Sequence, residues 1–87
     1  MKRIAVIGVV LENPKESGDE FNSIVGEYSG IIKGRMGLPF NDENIGVVSL
    51  VVAADMNQIN SFTGKLGKLK DVSVKTAISK REIIKSL

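Results

Sequence analysis

The chain has 87 residues, a net charge of +2, and neither cysteine nor histidine. That length supports one domain. The missing thiol and imidazole exclude disulfides, thiolate nucleophiles and the usual zinc and nickel sites, and with them the commonest general base near neutral pH. No catalysis, metal or cofactor is expected. The charge is uneven: residues 1–44 carry five Lys/Arg against seven Asp/Glu, and residues 45–87 carry seven against three. The lysines are scattered and no aromatic residue is interleaved with them, so a solvated face is expected rather than a nucleic-acid patch.

The opening MKRIAVIGVVL has the basic start and apolar run of a secretion signal, but charged ENPKE follows it and no small-residue cleavage site does. Residues 3–11 read instead as a buried strand. No apolar run approaches the ~20 residues of a membrane span, and a cytoplasmic setting is expected. The motif S-G-D-E, Ser17 to Glu20, reads as a capping box that opens the first helix. Phe21, Ile24, Val25 and Tyr28 then fall on one helical face, and Gly30 is placed to end it.

A second strand is expected from Ile31 to about Leu38. Its even positions, Ile32, Gly34, Met36 and Leu38, would face the core; Lys33 and Arg35 on the odd positions would face away. Pro39 closes it, and residues 41–44 read as a hairpin loop. The third strand, IGVVSLVVAA at 45–54, is apolar on both faces. Asp55 caps a second helix with Gln58 at the box position, and Ile59, Phe62, Leu66 and Leu69 make its apolar face. Gly64 and Gly67 weaken that helix and suggest close contact with a neighbour. The fourth strand, DVSVKTAIS, turns Val72, Val74, Thr76 and Ile78 inward. Residues 1–79 thus form one domain. Residues 80–87 form a tail, either a short helix opened by Ser79 and Glu82 or a frayed end.

The order β-α-β-β-α-β predicts an α+β, ferredoxin-like sandwich: a four-stranded antiparallel sheet with strands in the order 4-1-3-2 and both helices on one face. The glycines of GRMG, residues 34–37, then lie inside a strand. Phosphate-binding glycines sit before a helix, so a bulged or closely packed edge strand is the expected role, with an anion site at Lys33 and Arg35 as the functional alternative. TGKLGKL in the second helix lacks the Ser or Thr that a phosphate loop places after its lysine. Asp19, Glu20 and Asp55 are accounted for by capping, so no carboxylate pair is left for acid–base work. An acylphosphatase-like enzyme on this fold would need a glycine-rich anion loop with an arginine after the first strand, and ENPKE supplies neither. RNA readers of this topology use aromatics on the sheet; here they fall on helix faces or in the hairpin.

Strand three offers two apolar faces, one carrying Val47 and Val51, the other Val48, Leu50 and Val52. Helices cover one face only, so the other is a candidate oligomer interface. Lys33, Arg35 and Lys75 would form its cationic rim, where a small anionic effector could sit. A homo-oligomer is expected, either a dimer or a tetramer.

Taken together, RIAVIGVVLEN, IIKGRMGLPF, IGVVSLVVAADMNQINSFTGKLGKL and VSVKTAISK resemble a small bacterial family of iron-only hydrogenase system regulators. The resemblance covers nearly all of residues 3–80, and GRMG followed by proline is specific to it when paired with TGKLG. The family is similar in fold to the C-terminal domain of the nickel-responsive regulator. The resemblance implies an ACT-like regulatory domain that oligomerises. It does not imply nickel sensing, because the His and Cys ligands of that relative are missing. Direct DNA binding is not expected either, since the first strand starts at residue 3 with no ribbon-helix-helix reader before it. Two roles remain: a regulatory or ligand-sensing module, or an adaptor that binds a partner protein.

Overall fold

The computed structural model describes residues 1–83. It contains β1 (Arg3–Leu11), α1 (Pro14–Glu27), a short 3-10 turn (Ser29–Ile31), β2 (Ile32–Phe40), β3 (Ile45–Ala54), α2 (Met56–Gly67) and β4 (Val72–Ile78). The four strands form one sheet in the order β2-β3-β1-β4, and every neighbouring pair is antiparallel. This is the ferredoxin-like arrangement, with the expected strand order.

Alternation along the central strands decides where the core lies. Ala5, Ile7, Val9 and Leu11 of β1 are buried, as are Val48, Leu50, Val52 and Ala54 of β3. They meet Phe21 and Val25 of α1 and Ile59, Phe62 and Leu66 of α2 in one cluster. Tyr28 stacks on Phe62 with ring centroids 4.6 Å apart. Val72 and Val74 of β4 pack against the edge of this cluster.

Asp55 caps α2 as expected: its Oδ1 accepts a 2.9 Å hydrogen bond from the Gln58 amide. The start of α1 differs. The helix begins at Pro14, three residues before Ser17, with Asn13 in the cap position. Proline has no N–H to lose and its φ suits a first helical residue, so it starts the helix instead of breaking it. Ser17 lies buried inside the first turns and its hydroxyl donates to the Asn13 carbonyl. Gly30 does not adopt the left-handed conformation; the chain leaves α1 through Tyr28 and the 3-10 turn.

The largest departure lies in β2. Ile32 pairs with Val52 and Gly34 with Val51, so Lys33 is an extra residue at a β-bulge. One inserted residue reverses the alternation of everything after it. Arg35 therefore lies opposite buried Leu50 on the helix side, while Met36 lies opposite Ser49 and Leu38 opposite Val47 on the uncovered side. The expected inward and outward sets are exchanged beyond the bulge. Strand β2 also runs through Pro39 to Phe40, which an edge strand tolerates because one side of its ladder needs no partner.

In the tail, Ser79 does not open a helix within the described residues. Its amide donates to the Ile4 carbonyl and its hydroxyl accepts from the Ile4 amide. Ile83 exchanges backbone hydrogen bonds with Lys2, and Arg3 donates to the carbonyls of Ser79 and Lys80. Residues 80–83 thus extend along the start of β1. The remainder of the expected tail of residues 80–87, from residue 84 on, lies outside the described residues.

Candidate functional site

The two sides of the sheet carry different features. The side without helices presents three cross-strand rows: Gly34–Val51–Val6–Ala77, Met36–Ser49–Gly8–Lys75 and Leu38–Val47–Val10–Ser73. Met36 is 68% exposed, Leu38 55%, Val6 45% and Val51 36%. Small residues sit among them, with Gly8 in the middle of central strand β1. Nothing nearer than the Lys75 carbonyl at 3.8 Å would meet a side chain at Gly8. A glycine in a strand interior marks a place where another chain can approach closely.

The geometry divides the candidate interface residues. Val47 and Val51 lie on this uncovered face. Val48, Leu50 and Val52 lie beneath the helices and are buried, so they belong to the core and have no surface to offer a partner. Of the expected cationic rim, Lys33 sits at the bulge on edge strand β2 and Lys75 on β4 at the opposite edge. Arg35 has turned to the helix side. The three do not converge on one point.

On the helix side, Arg35 is held by α1. Its Nη2 donates a 3.0 Å hydrogen bond to Asn22 Oδ1, and its guanidinium carbon lies 5.8 Å from the centre of the Phe21 ring. Beside it a hollow of about 360 Å³ opens between α1 and strands β2 and β3, lined by Leu11, Phe21, Asn22, Arg35, Gly37 and Val48 among others. A side chain built at Gly37 would meet nothing within 4 Å, and one at Gly34 only Val51 Cβ at 3.9 Å. Neither glycine is required by close packing within the chain, so of the two structural roles expected for GRMG the bulged edge strand is the one observed.

Away from both features, Lys65 on α2 forms an ion pair with Glu27 at 3.2 Å and lies 5.3 Å from the centre of the Tyr28 ring. The hydrogen bond to Glu27 is the main cause that raises the Lys65 pKa above 10.5. This contact joins the two helices at the solvent-exposed surface. Among the described residues no group of three or more acidic side chains is placed to hold a metal ion.

The glycines of GRMG suggest a bulge as one of two roles, but neither its position at Lys33 nor the hollow is visible in the sequence as a pattern. Gly34 fits either face of a strand, so an alternation that flips at that point leaves no trace in hydrophobicity. The one signal is the absence of a side chain at Gly37 on a strand whose neighbours are large.

A family profile described as "Iron-only hydrogenase system regulator, putative", the TM1266-like family, matches residues 3–76. The chain belongs to that family. The solved structure of the uncharacterized protein TM1266 from Thermotoga maritima is 31% identical, aligns with a TM-score of 0.87, and covers 92% of this chain and 100% of its own. A protein of unknown role from Galdieria sulphuraria is similar in fold alone: it is 11% identical with a TM-score of 0.61, over 97% of this chain and 49% of its own. No curated protein matches. The bulged strand GRMGLPF and helix α2 with its TGKLGKL motif both lie within the residues this family member shares with the profile.

Proposed function

We propose that this chain is a non-catalytic regulatory module of the iron-only hydrogenase system, acting in the cytoplasm as a homo-oligomer in the expression or maturation of the enzyme. The observation that carries this reading is the uncovered sheet face. Val6, Val51, Met36 and Leu38 are exposed together on it, flanked by small residues that let a second layer come close. Burying a Val, Leu or Met side chain contributes about 1.5–3 kcal/mol, a large share of the ~5–15 kcal/mol that stabilises a small domain. A second copy stacked on this face covers the same patch on both partners at once, as two-fold symmetry requires.

The family assignment supports the link to the hydrogenase system. The missing histidine and cysteine favour binding over chemistry. Among the described residues no helix is long and apolar enough to cross a membrane.

Sedimentation equilibrium over micromolar concentrations tests the assembly. A mass at twice 9.4 kDa or a higher multiple is the expected result. A monomer at all concentrations would defeat it and favour an adaptor that offers this face to a different protein. The regulatory role is tested in a host with an iron-only hydrogenase. Deleting the gene for this chain should change hydrogenase transcript or active-enzyme levels, and unchanged levels of both would remove the link.

A further inference from the structure

We propose that the hollow between α1 and strands β2 and β3 binds a small organic monocarboxylate with an apolar body, and that Arg35 takes the carboxylate. At about 360 Å³ the hollow falls at the small end of the ~300–1,000 Å³ range of small-molecule sites. Leu11, Phe21 and Val48 form an apolar part of its lining, and Asp19, Asn22 and Arg35 a polar one. It is open because Gly18 on α1 and Gly37 on β2 carry no side chain, and a Cβ at either would meet nothing within 4 Å. A small side chain at either position would fill part of this space, as protein interiors usually do.

Arg35 reaches this site only because of the bulge at Lys33, which turns it from the uncovered face to the helix side. Re-aiming a side chain is a recurrent use of bulges. Its guanidinium is oriented by Asn22 and by the Phe21 ring, which lowers the rotamer freedom lost on binding. Of its five N–H donors, one is used on Asn22, and among the described residues it forms no ion pair. The remaining fork matches a carboxylate in two-pronged geometry. Asp19 lines the same hollow. Its negative charge disfavours phosphates and other multiply charged anions, which selects a singly charged acid.

The site deepens the regulatory reading and rests on it for its purpose, but not on the assembly. The test is a titration of the ¹⁵N-labelled full chain with phenylacetate to about 20 mM, within reach of millimolar affinity. The amide signals of Gly18, Asn22, Gly37 and Leu38 should shift and saturate together. Phenylacetamide and inorganic phosphate at the same concentrations should leave them in place. Arg35→Gln should weaken binding by about tenfold or more, and Gly37→Val should abolish it by filling the hollow while the rest of the spectrum stays folded. If Gly37→Val does not fold, Gly18→Ala takes its place.

Equal shifts from the amide or from phosphate overturn the proposal. So do full binding by Arg35→Gln and the absence of any saturable shift. A monomer that still binds phenylacetate would remove the assembly and keep this site, whereas an oligomer without these shifts would do the reverse.

Discussion

Gly37 shows how a single position carries opposite expectations before and after its surroundings are known. As a glycine within a strand it suggests tight packing, and a larger side chain would then destabilise. The space above it is open and its φ is not positive, so no strain or clash opposes a side chain. Valine also favours extended backbone and narrows the unfolded ensemble. Gly37→Val should therefore leave unfolding free energy within about 0.5 kcal/mol of the parent or raise it by up to about 1 kcal/mol, as measured by urea denaturation. A loss above that range would mean that the hollow closes in solution. Arg35→Gln removes one exposed hydrogen bond and a ring contact, and should lower stability by less than about 1 kcal/mol. Lys65 carries a pH dependence of known sign. Its folded pKa lies above 10.5, so the stabilisation from Glu27 is present in full below 10.5 and is lost as pH rises through the folded value. The difference in thermal midpoint between the parent and Lys65→Met should be constant through neutral pH and shrink in strongly alkaline buffer.

Among the elements, α2 keeps an avoidable weakness. Gly64 lies inside the helix, is exposed, and has open space where a methyl group would go; it does not serve the close contact its sequence position suggests. Gly64→Ala should add about 0.5–1 kcal/mol, which for a domain of this size raises the thermal midpoint by roughly 3–6 °C. A scan showing no increase would indicate that another chain lies against α2. Strand order, both helices and the apolar faces of α1 and α2 were legible in the sequence because each rests on periodicity over several residues. The boundaries that failed depend on one residue each. Pro14 can end a segment or begin a helix, and Ser17 followed by Glu20 looks the same in a cap as inside a helix. Lys33 turned the outer half of β2 over without altering its composition. The candidate interface was legible as two alternatives because β3 is apolar on both sides, and the neighbour that distinguishes them comes from elsewhere in the chain.

At the scale of the whole molecule, the uncovered face predicts how assembly fails. Val6 pairs with Val51 near the middle of that face, and both are exposed in the single chain. Val6→Lys leaves the core untouched and places a charge where a second copy would exclude water. An unpaired buried charge costs several kcal/mol, so self-association should weaken by at least about a hundredfold, at about 1.4 kcal/mol per tenfold. Circular dichroism should remain that of the parent. Association of Val6→Lys at parental strength would assign assembly to the free edge of β2.

The position of β1 at the centre of the sheet has a consequence for how the protein comes to be made. Of the four strands β1 leaves the ribosome before the others, yet its two neighbours are β3 and β4, and even the nearest β1–β4 pair, Leu11 with Val72, joins residues sixty-one positions apart. Such distant pairings close slowly. Until they form, a nine-residue apolar strand with two unpaired edges waits in the nascent chain, a template for wrong pairing. Ribosome-stalled chains ending near residue 60 should therefore bind a chaperone that recognises extended apolar segments, and full-length chains released from the ribosome should lose that binding within the folding time. Indifference of such chains to the chaperone would mean that α1 shields β1 before its partners arrive.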